Sequence, residues 1–168
     1  MEDEIINKVS LSTLETVDLE KFYPTEEIIV FDLKPYLYME LILKEKDFRT
    51  SLQEVDWHTY AGKIVAVTCT ADAVIPVWAY MLVASYLEPF AKDIIMGDET
   101  AAVKQILLKR IGSINPDEYK DKRVVIKGCG DLAIGDFAYM EITRLLRPVA
   151  KSIMYGEPCS TVPIFKKK

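Results

Sequence analysis

The sequence predicts an α/β fold: a single domain with a mostly parallel or mixed sheet flanked by helices, built on a tandem strand–helix–strand duplication at residues 60–98 and 119–157. Three observations predict it. Tyr60–Asp98 aligns without gaps on Tyr119–Glu157, and 14 of the 39 positions are identical. Each stretch carries a short β-branched run, a long apolar run and a second short run. Strands that alternate with helices favour parallel pairing through right-handed crossovers.

Taken in order, the residues up to about Pro24 read as a wrapping arm or an edge hairpin. Ile28–Leu33 is a strand, Met39–Leu43 fits either strand or helix, and Lys46–Val55 is a helix. In the first copy Ile64–Thr68 is a strand and Ala73–Leu87 a helix, with Pro76 in its first turn, where a missing N–H costs little. Pro89 stops that helix, and Asp93–Met96 is the second strand. Thr100–Ile111 has helical spacing and ends at Gly112. The second copy repeats the pattern: strand Arg123–Lys127, helix Leu132–Leu146 stopped by Pro148, and strand Ser152–Tyr155. Residues 158–168 read either as a tail ending in three lysines or as a segment folded back over the sheet edge. No linker rich in Gly, Ser or Pro appears. One domain is therefore expected, divided into 1–59, 60–98, 99–118, 119–157 and 158–168.

The two long helices differ. The second carries Asp136, Glu141, Arg144 and Arg147, a polar face for solvent. The first has Val77, Leu82, Ser85 and Glu88 at those places and is apolar almost all round. A helix of that kind needs cover on a second side, from the N-terminal segment or from a second subunit, which would make the chain a homodimer through helix 73–87.

The chain has 168 residues, half of them hydrophobic, and a net charge of -5. That composition excludes disorder and supplies a sizeable core. The acidic balance argues against nucleic acid and anionic membrane surfaces. No apolar stretch follows the acidic Met1–Glu4 as in a signal peptide, and the apolar run Ala73–Leu87 is too short to span a bilayer. A cytoplasmic protein is expected. Three cysteines in a reducing compartment suit free thiols or metal ligands better than disulfides.

Those cysteines carry the candidate chemistry. Cys69 and Cys129 each follow the first strand of a copy, one residue out of correspondence, and Cys159 follows the last strand. Parallel strands would set all three at the carboxyl edge of the sheet, where open α/β sheets bind ligands. Asp72, Asp131, Asp98 and Glu157 belong to the same edge and are candidate cofactor-binding carboxylates. Three thiolates with a carboxylate or water could hold zinc, iron or part of an iron–sulfur cluster. No CxxC pair reinforces the pattern, and free cysteine is among the most buried residue types, so the bland reading takes Cys69 and Cys129 as small buried residues at strand ends. Asp72 and Asp131 read more simply as helix N-caps or turn formers. Tyr80 and Tyr139 read as packing residues, and Lys92 and Lys151 as solvated. The one histidine, His58, argues against a His-based metal site or triad. There is no Walker loop, GxGxxG or GxSxG, and no catalytic residue is assigned.

Three runs carry a resemblance: Leu43–Arg49, Cys69–Met81 and Lys151–Pro163. With these the chain resembles, over nearly its whole length, an uncharacterised bacterial family, the domain of unknown function numbered twenty-four-eighty. The resemblance implies an accessory role beside sulfur-mobilisation (Suf) iron–sulfur assembly proteins, with Cys69, Cys129 and Cys159 at the family's cysteine positions. The strand–helix–strand units also look distantly like the sulfate-transporter and anti-sigma antagonist fold, which binds partners.

Three functional expectations follow. The first is a cytosolic accessory protein that binds a metal ion or iron–sulfur cluster through Cys69, Cys129 and Cys159. The second is a thiol-dependent enzyme or persulfide carrier. The third is a non-catalytic dimeric interaction module with buried cysteines.

Overall fold

The structure, a computed structural model, describes residues 14–128, 130–157 and 160–168. Within them lie strands β1 (Leu14–Asp18), β2 (Ile28–Asp32), β3 (Ile64–Thr68), β4 (Asp93–Met96), β5 (Arg123–Lys127), β6 (Ser152–Glu157) and β7 (Ser160–Lys166). The α-helices are α1 (Glu45–Gln53), α2 (Val77–Leu87), α3 (Glu99–Gly112) and α4 (Asp136–Leu146). The chain forms two compact units, residues 24–105 and residues 1–23 with 106–168, and the boundary falls inside α3.

In the unit 24–105 the sheet order is β2-β3-β4, and both pairings are parallel. In the other unit the order is β1-β5-β6-β7; the first two pairings are parallel and β7 returns antiparallel on β6. The fold is therefore mixed α/β with mostly parallel strands, but it has two sheets where one was expected. The reason is the N-terminal segment. It supplies one extra parallel strand to each strand–helix–strand unit, β2 to β3 and β1 to β5, so each unit completes its own sheet. The arm or hairpin expected before Pro24 is, from Leu14 onward, the edge strand β1.

Element bounds repeat at the 59-residue offset of the internal alignment: β3 with β5, α2 with α4, and the start of β4 with that of β6. The cores repeat as well. Val65, Val67, Ala79, Val83 and Leu87 are buried in one unit, and Val124, Ile126, Ala138, Ile142 and Leu146 in the other. The i, i+4, i+8 spacing of the three helix residues lays one stripe of α2 and of α4 on its sheet. Full burial of each leucine contributes roughly 1.5–3 kcal/mol.

Both helices start later than the apolar runs suggest. Pro76 is the N-cap of α2 and Gly135 that of α4, in extended geometry and with no side-chain cap. Proline disfavours helical geometry in the residue before it, which leaves Val74 and Ile75 in the loop. Asp72 and Asp131 are therefore not N-caps; both lie exposed in the bends before the helices. Met39–Leu43 is neither strand nor helix but a tight turn closed by a Tyr38–Ile42 bridge, with Met39 and Glu40 at positive φ.

The second side of α2 is covered from within its own unit. The Phe48 ring of α1 meets Trp78 edge-on at 6.2 Å, and Trp57 stacks on Tyr86 at 5.0 Å. Trp57 also donates its indole N–H to the Leu52 carbonyl at 2.9 Å. Cover is incomplete: Val77 and Met81 remain 75% and 68% exposed. Among the described residues no helix is long and apolar enough to cross a membrane.

Candidate functional site

The carboxyl edge of each sheet is where the chain leaves its parallel strands, and the two edges are built alike. β1 and β2 both end in Asp followed by buried Leu: Asp18–Leu19 and Asp32–Leu33. Each aspartate turns its chain through a carboxylate that accepts a backbone N–H two residues on. Glu20 N–H donates to Asp18 Oδ1 at 3.1 Å and Lys34 N–H to Asp32 Oδ1 at 2.9 Å.

Beyond that turn the edges part. In the unit 24–105 the Asp32 carboxylate is closed off by the loop after β3: Thr70 N–H donates to Oδ1 at 3.0 Å and Thr70 Oγ1 to Oδ2 at 2.5 Å. Partial burial pushes the Asp32 carboxyl up, but these hydrogen bonds and the Lys34 charge outweigh it and hold the group below its ordinary value. Cys69, one residue earlier, is a half-buried free thiol whose Sγ lies 3.8 Å from the Ala71 carbonyl oxygen. Burial pushes the Tyr80 phenol up, and the nearby Cys69 adds to it.

At the other edge the matching aspartate, Asp18, instead faces Lys127 at the end of β5, at 3.7 Å. Lys127 also faces Glu157 at the end of β6, at 3.9 Å. All three side chains are partly exposed, so these pairs contribute at most about 1 kcal/mol each. Glu20 is different. Its Oε1 is buried and has no hydrogen-bond partner among the described residues. The carboxylate packs over Gly130 so closely that a Cβ there would stand 2.3 Å from Oε1 and 2.7 Å from Oε2. A Cβ on Gly128 would stand 2.8 Å from the Tyr139 hydroxyl. Gly128 and Gly130 thus let a phenol and a carboxylate approach the backbone of the loop after β5; both contacts are with the ends of side chains, which can shift. A buried carboxylate oxygen without a partner costs roughly 1–3 kcal/mol or more, and a cation or N–H donor removes that cost.

The sequence-predicted residues distribute as follows. β3, which precedes Cys69, lies in the three-stranded sheet, whereas β5 and β6, which precede Cys129 and Cys159, lie in the four-stranded one. The single sheet edge expected for the three thiols is thus replaced by two edges. Cys129 and Cys159 themselves lie outside the described residues; each follows by two residues the end of one of two neighbouring parallel strands. Asp98 caps α3, accepting the Ala101 N–H at 2.8 Å. Asp72 and Asp131 are exposed, and Glu157 faces Lys127. Among the described residues no group of three or more His, Cys, Asp or Glu side chains could hold a metal ion. Glu20 escaped the sequence reading. The one available signal was the repeated Asp-Leu pair, which marks β1 as a second parallel edge strand and so carries Glu20 to the end of β5.

A second feature lies in the same unit. A groove of about 720 Å3 runs beside α4. Ile126, Tyr139, Met140, Met154, Tyr155 and Ile164 line it, with Asp136, Thr143 and Arg144 along α4. Tyr139 and Tyr155 meet edge to face at 5.7 Å. Fold-back of the C-terminal segment as β7 supplies Ile164, so the tail is a structural strand from Ser160 to Lys166.

The family described as "Protein of unknown function (DUF2480)" matches this chain over residues 3–167. No curated protein and no solved structure matches it.

Proposed function

The chain belongs to the DUF2480 family of proteins of unknown function, and we propose that it is a non-catalytic binding protein that holds a metal ion at the carboxyl edge of the four-stranded sheet. Glu20 offers a carboxylate oxygen there, and in the sequence Cys129 and Cys159 each follow by two residues a strand that ends at this edge. The observation that carries this reading is the Glu20 Oε1 packed against Gly130, buried and without a hydrogen-bond partner among the described residues. Thiolates with one carboxylate suit zinc or iron. Such a site fits an accessory role in iron–sulfur or sulfur handling in the cytoplasm. The reading drops Cys69 from the ligand set, because its strand belongs to the other sheet.

The test is elemental analysis of anaerobically purified protein, with colorimetric assay of labile sulfide. Bound zinc or iron is expected in the wild type and strongly reduced in Cys129→Ser and Glu20→Gln, whereas Cys69→Ser keeps it. Metal-free wild-type protein whose stability is unchanged in all three variants disposes of the reading.

A second reading is a self-associating interaction module. It draws on exposed apolar residues of the helices, Val77 and Met81 on α2 and Met140 on α4. In sequence terms the contact was expected at helix 73–87.

A further inference from the structure

The α4 surface carries a pattern that repeats when the helix is turned end for end. Asp136, Met140 and Arg144 follow one another at i, i+4 and i+8, so they lie along one stripe of the helix. Met140 is 74% exposed and stands at the midpoint. The two charges are about 12 Å apart along the axis at 1.5 Å per residue, about 6 Å on either side of Met140. Asp136 is exposed, and no ion pair to it occurs among the described residues. Arg144 uses Nε and Nη2 on Glu141, at 2.9 and 2.6 Å, which leaves Nη1 outside that pair. The groove lined by Tyr155 and Ile164 opens directly beside this stripe.

We propose that this face binds a second copy of the chain, with the two α4 helices antiparallel about a twofold axis at Met140. Asp136 then meets Arg144 of the second copy, and Arg144 meets its Asp136. Each Met140 inserts its thioether into the opposing groove. A twofold contact must be self-complementary, residue i to j and j to i, and this stripe meets that condition with opposite charges at its ends and an apolar centre. A different protein or a small apolar ligand would give no reason for charges placed symmetrically about Met140. The matching stripe of α2 is Val77, Met81 and Ser85, which has no charge to fix a register. The self-association face is thus α4 rather than helix 73–87. The inference does not depend on a metal site, since it rests on Asp136, Met140 and Arg144 of α4 and not on Glu20 or a thiol.

The experiment is a charge swap read by sedimentation velocity in low salt. Wild-type chain is expected to dimerise, with the dimer fraction falling as salt rises. Asp136→Arg makes both ends of the stripe positive, and Arg144→Asp makes both negative; each variant alone is expected to dissociate at least tenfold more readily. Mixed one to one, the two are expected to recover a dimer, because every cross-pair is again opposite in sign. Far-UV circular dichroism confirms that both variants keep their helices. Met140→Glu is expected to give a monomer. A wild-type monomer at about 100 μM overturns the proposal. So do single variants that associate as wild type does, or a mixture that stays dissociated. A groove filled by a small molecule or by residues 1–13 of the same chain would give one of those overturning results.

Discussion

Gly156→Ala isolates the backbone demand at the carboxyl edge of the four-stranded sheet. Gly156 pairs with Thr161 across the β6–β7 hairpin at φ +112, a conformation that alanine adopts only under strain of about 1–3 kcal/mol. A Cβ there would also stand 2.6 Å from the Ser160 carbonyl oxygen. That contact is with backbone, so relief requires β7 to move and strains one or two ladder hydrogen bonds, each worth about 0.5–1.5 kcal/mol. The expected loss is about 2–4 kcal/mol. Gly62→Ala is the comparison. Gly62 has φ +72 with nothing within 4 Å of a new Cβ, so only the left-handed strain of about 1–2 kcal/mol remains. Urea unfolding measures both losses. Far-UV circular dichroism follows Gly156→Ala; tryptophan emission follows Gly62→Ala, because Trp57 and Trp78 both lie in the unit 24–105. Gly156→Ala costing under about 0.5 kcal/mol, or no more than Gly62→Ala, refutes the argument that β7 is pinned against β6 at this residue.

Three further outcomes are expected. Gly130→Ala leaves stability within about 0.5 kcal/mol of wild type, since the clash is with the flexible end of Glu20; it nevertheless lowers metal content by displacing that carboxylate, as plasma emission spectrometry would show. Phe48→Ala, at a fully buried site between Tyr36 and Trp78, costs about 3–5 kcal/mol in urea unfolding read by tryptophan emission. Asp32→Asn removes a pH-dependent contribution. The folded carboxyl is held below its ordinary value of 3.8, so its contribution is full above that value and is lost as pH falls through the lower folded value. Wild-type urea midpoints should therefore fall more steeply than those of Asp32→Asn as pH drops below 3.8; parallel acid limbs would refute it.

Much of the fold was legible because short-range signals agree with one another. The offset alignment places β3, α2 and β4 against β5, α4 and β6, and Pro89 and Pro148 end the helices where a missing N–H and a clash require it. What stayed hidden is long-range. The run Ile28–Leu33 reads as a strand and the segment before Pro24 only as an arm or an edge hairpin; neither reading says that each supplies a strand to a different sheet, because parallel partners lie far away in sequence. β7 was masked by Pro163, a residue acceptable in the edge strand of a hairpin and suspect anywhere else in a sheet. Helix starts were misread because Val74 and Ile75 continue the apolar run, while the backbone obeys Pro76.

The candidate site was legible only as an edge, and its chemistry depends on a comparison that the sequence cannot make. The two edges share a fold, a turn and an aspartate, so any difference between them reflects the side chains. At one edge Thr70 supplies both an N–H and a hydroxyl to Asp32, and the carboxylate is satisfied within the chain. At the other, Glu20 stands where Lys34 stands in the first. The Tyr139 hydroxyl packs against Gly128 and the Glu20 carboxylate against Gly130, and one carboxylate oxygen has no hydrogen-bond partner among the described residues. If the Glu20 edge served only to support the fold, Glu20→Gln would change little besides the charge, because glutamine again sets an oxygen or an N–H at the same unpartnered place. If Glu20 instead holds a metal, Glu20→Gln should abolish metal retention while leaving the stability of the metal-free chain within about 1 kcal/mol, a loss expected of a binding residue and not of a structural one.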